Sequence, residues 1–295
     1  MDFGFLTTGL LTGLREGVEA ALIVSIILAY LARSGHRDRF GPIWAGTATA
    51  ILLSAAIGAV LFVSIRELPA PGEQIFEGMA MLLAAGVVTW MLFWMRRTSA
   101  NIRSELQAGI DRALTQGSLR ALALLAFVAV IREGIETSLF LLGQVTAASA
   151  DGSGTSTLAG ALIGLILAAA LGFGFYRGAR VINLQTFFRW TGVALVFIAA
   201  GLVGRAVHEF IEIGWIGVGS GTAFDISALL PDSGSGLAAI LGQLLRALFG
   251  YTSTPEWATL VVWLTYLAAV LWLYTRPMRP AQPLPVSGGQ PVPGA

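Results

Sequence analysis

Seven stretches of the chain, about 5–32, 42–65, 75–95, 120–148, 157–176, 188–212 and 257–275, are apolar over the length a helix needs to cross bilayer hydrocarbon, about 30 Å at roughly 1.5 Å per residue. Nothing else in the sequence restricts the fold so strongly. Only 12% of residues are charged and the mean hydropathy is +0.77, so the main solvent of this chain is lipid. The expected fold is an all-α polytopic membrane protein with seven transmembrane helices. The first stretch follows Met1-Asp2 with neither a basic segment nor a small-residue cleavage site, and it reads as a retained helix.

All 18 basic residues are arginines, and their placement alternates. Arg33, Arg37 and Arg39 follow the first stretch, Arg96, Arg97, Arg103, Arg112 and Arg120 lie between the third and fourth, and Arg177, Arg180 and Arg189 between the fifth and sixth. Arg276 and Arg279 follow the seventh, whereas only Arg66 and Arg246 fall in the opposite loops. The positive-inside rule then predicts an outer N-terminus and a cytoplasmic C-terminus. Carboxylates such as Glu67, Asp151, Asp225, Asp232 and Glu256 show the reverse bias, which on a concave surface concentrates cations. The outer loop at 214–256 is long and Gly-rich around short apolar runs, predicting partial helices or a re-entrant element. A single transport domain is expected over 1–276, its last helix at 257–275, followed by a Pro- and Gly-rich tail at 277–295 that reads as disordered and cytoplasmic.

Two of the stretches carry charges where lipid should exclude them. LREGVEAAL begins at Leu14, and a near copy, IREGIETSL, begins at Ile131, 117 residues further on. The third and sixth stretches also correspond, EGMAMLLAAG from Glu77 with TGVALVFIAAG from Thr191. The chain therefore reads as a duplicated three-helix unit, about 1–98 and 118–213, with the seventh helix outside it. An odd number of helices per unit sets the copies in opposite orientations, an arrangement that transporters use to build sites near the midplane. Both motifs fall close to the bilayer centre. Within each, the glutamates are three apart and the arginine is four from the second, so all three side chains can face one way.

Ionisable groups at that depth cost a few kcal/mol each, which points to a lined cavity rather than decoration. An Arg–Glu clamp between helices would need one glutamate per arginine and leaves Glu16 and Glu133 without a use. Gly9, Gly13 and Gly17 form a stripe suited to close helix packing. Gly17 and Gly134 are also candidates to admit a ligand or to break the helix.

The chain has no cysteine, which excludes disulfides, thiolate ligands and iron–sulfur clusters, and its only imidazoles are His36 and His208. Neither a nucleic-acid signature nor a Gly-rich phosphate loop is present. Glu16, Glu19, Glu133 and Glu136 offer up to eight oxygens, while Arg15 and Arg132 offset half of their charge and keep them ionised and spaced. Such a set suits hard or borderline cations such as iron, manganese, magnesium or calcium over copper(I) and zinc. The same carboxylates also suit a proton-coupled cation carrier or antiporter in which they titrate, or a membrane sensor or scaffold that binds an ion without moving it.

REGVE and REGIE resemble the Arg-Glu-Gly-Leu-Glu motif of the oxidase-dependent iron permease family, which includes the fungal high-affinity iron permease and the bacterial elemental-iron-type permeases. The likeness extends to FEGMAMLLAAGVVTWMLFWMRR, AVHEFIEIG and FGYTSTPEW, and so to nearly the whole chain; Val18 and Ile135 replace the motif's leucine. The resemblance implies import of iron across the cytoplasmic (inner) membrane, with Glu16, Glu19, Glu133 and Glu136 coordinating iron as transported substrate, and no catalytic residue or cofactor. It also implies separate extracytoplasmic partners, an iron oxidase or a cupredoxin-like iron-binding protein and sometimes a haem peroxidase. Glu73 and Glu77 share a face at the outer end of the third stretch, and with His208, Glu209 and Glu212 they are candidates for an outer iron-admission site. The HEFIE sequence at His208 lacks the second histidine of a zinc hydrolase motif, and Arg205 is placed to pair with Glu209 instead.

Overall fold

The computed structural model describes residues 2–65, 72–98, 102–149, 153–178, 183–232, 234 and 236–276. The tail at 277–295 lies outside these, as do Arg66, Glu67, Asp151, Arg180 and Arg279. The described residues form nine α-helices: α1 (Phe3–Arg33), α2 (Phe40–Ile65), α3 (Gly72–Thr98), α4 (Ile102–Thr115), α5 (Leu119–Ser149), α6 (Gly154–Tyr176), α7 (Leu184–Glu212), α8 (Leu237–Phe249) and α9 (Trp257–Thr275). Five helical segments are long and apolar enough to cross a membrane: Arg37–Val63, Gly72–Met95, Gly154–Tyr176, Thr186–Glu212 and Trp257–Thr275. The helices α1 and α5 have 31 residues each, ample for a crossing, and each carries an Arg-Glu-Gly-x-Glu motif in an otherwise apolar run.

Local chemistry sets the helix ends. Asp2 caps α1, its Oδ1 accepting from the backbone N–H of Gly4 at 2.8 Å and of Phe5 at 3.2 Å. The helix stops at Ser34-Gly35, where Gly35 takes a φ of 81° that a side chain would strain. Asn183 caps α7 in the same manner through Thr186 N.

Helix packing crosses between the halves. The most extensive contact is α1 with α6, then α2 with α5, then α3 with α7. A Cβ at Gly9 or Gly13 would strike the carbonyl of Thr157 or Ala161, and one at Gly160 or Gly164 would strike that of Leu6 or Leu10. Both helices therefore give up side chains so that their backbones meet, the small-residue packing expected of membrane helices. The motif glycines belong to this scheme: Gly17 faces Ala168 of α6 and Gly134 faces Ser54 of α2. Neither breaks its helix, because α1 and α5 run unbroken through the motifs. The close approach of the opposing helix, not a ligand, occupies the space beside them.

The interior is divided. One apolar cluster joins α3, α5, α7 and α9 around Met81, Val88, Phe140 and Leu195, and another joins α1, α2, α4 and α5 around Ile27, Leu31, Ile43, Ile110 and Leu122. Large apolar side chains instead face outward on α2 (Ile51, Leu52, Val60), α6 (Leu162, Ile166) and α9 (Val261, Leu264), while charges are buried inside. That inversion of the water-soluble pattern suits a lipid surround. The Gly-rich loop at 214–256 contains a partial helix. Its α8 packs on α1 and α7, and Gly250 at its end rests on Gly201, well inside α7. The helix α4 was not expected from hydropathy. Its Ile110 and Ala113 are buried within the second of these apolar clusters, and Tyr30 of α1 donates to Asp111 at 2.6 Å.

Candidate metal site

The two motifs meet where α1 packs on α5. Arg15 pairs with Glu16 through Nη1, and its Nη2 lies 3.1 Å from Glu19 Oε1; all three side chains are buried. On α5, Arg132 Nε lies 3.0 Å from Glu136 Oε1 and 3.8 Å from Glu133 Oε1, with both glutamates buried. One carboxylate oxygen each from Glu16, Glu19 and Glu133 lies within 4.8 Å of the others, the one such group of three among the described residues. A triangle with sides of 4.8 Å has a point about 2.8 Å from every corner, close to the reach of hard-cation oxygen ligands. Glu136, the fourth candidate, stays with Arg132 beside this group rather than within it.

Oxygens of all four remain without a hydrogen bond: Glu16 Oε2, Glu133 Oε2 and Glu136 Oε2, and also Glu19 Oε1, whose contact with Arg15 is an ion pair at 3.1 Å. Buried carboxylate oxygens lacking donors are costly, and a cation is the partner that satisfies several at once.

One helix, α3, holds both arginines. Arg15 Nη2 lies 3.0 Å from Met91 Sδ and 2.8 Å from Met95 Sδ, and the Arg132 guanidinium lies over the Trp94 ring, 3.6 Å from its centroid. None of these three residues stood out in sequence, since each looks like ordinary apolar filling of a span.

Polar side chains flank the motif in α1 on both sides. Toward its N-terminus, Thr8 and Thr12 are buried, Gln144 Nε2 of α5 donates to Thr12 at 2.7 Å, and a cavity of about 20 Å³ opens beside Thr8, Gln144, Arg205 and Arg246, enough for one water. Toward its C-terminus lie the apolar cluster around Val24, Ile27, Ile110 and Val130 and, beside it, a cavity of about 210 Å³ lined by Ser25, Tyr30, Arg33 and Gln107.

The second set of candidates lies at the N-terminal end of α3 and the C-terminal end of α7. His208 Nδ1 lies 2.7 Å from Glu256 Oε1, and its Nε2 lies 3.5 Å from Glu212 Oε1. Glu209 is buried, while Glu77 is half-buried within electrostatic reach of Glu209 and Glu73. Arg205 donates to the carbonyl of Ala147. Glu256, which the sequence reading left among the loop acids, ties the start of α9 to α7. Burial alone would raise its carboxyl, but a backbone hydrogen bond, the Thr259 hydroxyl at 2.9 Å and His208 outweigh that and hold it below the usual range.

The sequence profile of the family described as Iron permease FTR1 family matches residues 7–276. The chain belongs to the iron permease FTR1 family. Similar curated relatives include the ferrous iron permease EfeU of Escherichia coli O6:H1, 37% identical over 268 residues that cover 90% of this chain and 94% of the relative. EfeU of Yersinia pestis is 36% identical over 267 residues, 90% and 92% of the two chains. No solved structure matches. As an FTR1 permease, the chain is a multi-pass membrane transporter and not an enzyme, and iron stands to it as cargo rather than as cofactor.

Proposed function

We propose that this permease imports iron across the cytoplasmic membrane through one site built from both motifs, in which Glu16, Glu19 and Glu133 hold the ion and Glu136 takes part in its passage. The observation that carries this reading is the convergence of three buried carboxylates from α1 and α5, with unsatisfied oxygens, on one small volume. A cation with a hydration shell to lose is stabilised there only by negative charge, and Arg15 and Arg132 keep the total low enough for release. The ferrous state is the species named for the relatives and the one proposed here.

In this reading α1, α2, α3, α5, α6, α7 and α9 are seven membrane spans, with α1–α3 and α5–α7 as inverted repeats, the N-terminus outside and the C-terminus in the cytoplasm. The pairing of α1 with α6 and of α2 with α5 supports it, because an inverted two-fold relation exchanges those pairs. Iron would enter past Glu73, Glu77, Glu209 and the His208, Glu212 and Glu256 group, then move by Thr8, Thr12 and Gln144 to the carboxylates. The inner apolar cluster with α4 would be the closed side. Separate extracytoplasmic iron-binding or oxidase proteins would deliver the ion.

Labelled ferrous iron uptake into sealed proteoliposomes tests this. Saturable, protein-dependent accumulation is expected at constant pH. Proton flux that ignores iron would favour a proton carrier instead, and iron bound without entry into the lumen would favour a sensor or scaffold.

A further inference from the structure

We propose that Met91 and Met95 are members of the ion site, placing thioether sulfur beside the carboxylates and giving it a preference for ferrous iron over manganese, magnesium and calcium. This rests on the transport reading above. Arg15 Nη2 is a cationic nitrogen with three close neighbours: Glu19 Oε1 at 3.1 Å, Met91 Sδ at 3.0 Å and Met95 Sδ at 2.8 Å. It marks a position that already accommodates positive charge. An ion that displaces this nitrogen inherits the same three atoms, with Glu16, held by Nη1 of the same guanidinium, as a fourth.

Thioethers are weak hydrogen-bond acceptors, so two of them on one nitrogen are a poor way to satisfy a buried arginine. Toward metals they are soft donors. Oxygen ligands alone would rank magnesium, calcium and manganese with ferrous iron, whereas added sulfur favours the borderline transition ion. Met91 and Met95 stand one turn apart on α3, so both sulfurs reach one point, and Met91 is fully buried. Glu16 Oε2, which has no hydrogen-bond partner, and Glu19 Oε1, whose cationic neighbour is the Arg15 nitrogen itself, each sit on a side chain more than nine-tenths buried and supply the charge that keeps an ion at this place.

The test is a Met91→Leu, Met95→Leu double variant, which keeps apolar bulk but removes sulfur. Ferrous uptake is measured in proteoliposomes against manganese as competitor, and iron-loaded wild-type protein is examined by X-ray absorption. The expected results are a fall of about tenfold or more in the iron-to-manganese preference of the variant and a sulfur scatterer in the wild-type iron shell. An unchanged preference with uptake retained, or equal weakening for both metals, overturns the proposal and leaves the methionines as mere supports for Arg15. Should the variant fail to fold, the wild-type absorption spectrum decides, and an all-oxygen shell refutes it. Wild-type protein that carries no iron at all would instead refute the transport reading.

Discussion

Changing one carboxylate at a time to its amide separates the three glutamates that converge from the one that does not. Glu16→Gln, Glu19→Gln and Glu133→Gln each remove a negative charge about 2.8 Å from the point the three share. At an effective dielectric constant of about 20, a doubly charged ion loses on the order of 12 kcal/mol of direct attraction there. Most of that gross figure cancels, because the ion must also shed water and displace Arg15, and the amide retains one oxygen ligand. A net weakening of about 100-fold, near 2.7 kcal/mol, is expected for each of the three. Glu136→Gln should cost about tenfold or less, since Glu136 sits 3.0 Å from Arg132 and outside the group. Binding of labelled ferrous iron to purified protein in detergent, scored by dissociation constant, reads the difference. Equal affinity in all four variants and wild type would refute the site, and a Glu136 effect as large as that of Glu16 would refute the three-ligand geometry.

Gly164→Leu drives a side chain into the backbone of α1 at Leu10 and Leu14, so thermal unfolding in detergent should show a loss of about 1–3 kcal/mol or more. An unchanged melting temperature would mean that α1 and α6 do not pack this closely. Trp94→Leu takes the ring from under Arg132, whose side chain is one-third exposed, and should weaken iron binding by a few-fold at most without unfolding the protein, as measured by the same binding assay. Gln144→Leu leaves the Thr12 hydroxyl without its donor on the proposed entry path to the site; initial uptake rates should fall while detergent binding stays near wild type. The Glu256 carboxyl titrates below its unfolded value, so its contribution to docking α9 on α7 is present above the ordinary glutamate range near pH 4.3 and is lost as pH falls through the lower folded value. Hydrogen exchange at the start of α9 should accelerate on that acid side in wild type, and already at neutral pH in Glu256→Gln.

Much of this arrangement was legible because lipid makes sequence unusually explicit. A buried charge in a span stands out against its neighbours, and the spacing of Arg15, Glu16 and Glu19, repeated at Arg132, Glu133 and Glu136, needs only helix geometry to be read as one face. The Gly9, Gly13 and Gly17 stripe likewise announced close packing, although its partner on α6 could not be named from one helix alone. What escaped was carried by residues whose type is common in any span. Met91, Met95 and Trp94 look like lipid-compatible filling until tertiary packing puts them against two arginines. The helix α4 was hidden by its charges, which lower its hydropathy, yet Leu106, Ile110 and Ala113 recur at helical spacing and signal an apolar stripe. The tie between His208 and Glu256 spans 48 positions, beyond what local periodicity can report.

The most direct test of the account is labelled ferrous iron uptake by proteoliposomes containing Glu16→Gln or Glu133→Gln, one glutamate from each half of the repeat. If a single shared site carries the ion, either substitution alone should reduce uptake to near the protein-free level while both proteins remain folded. Near-normal uptake by either variant would contradict the claim that α1 and α5 hold the same ion together.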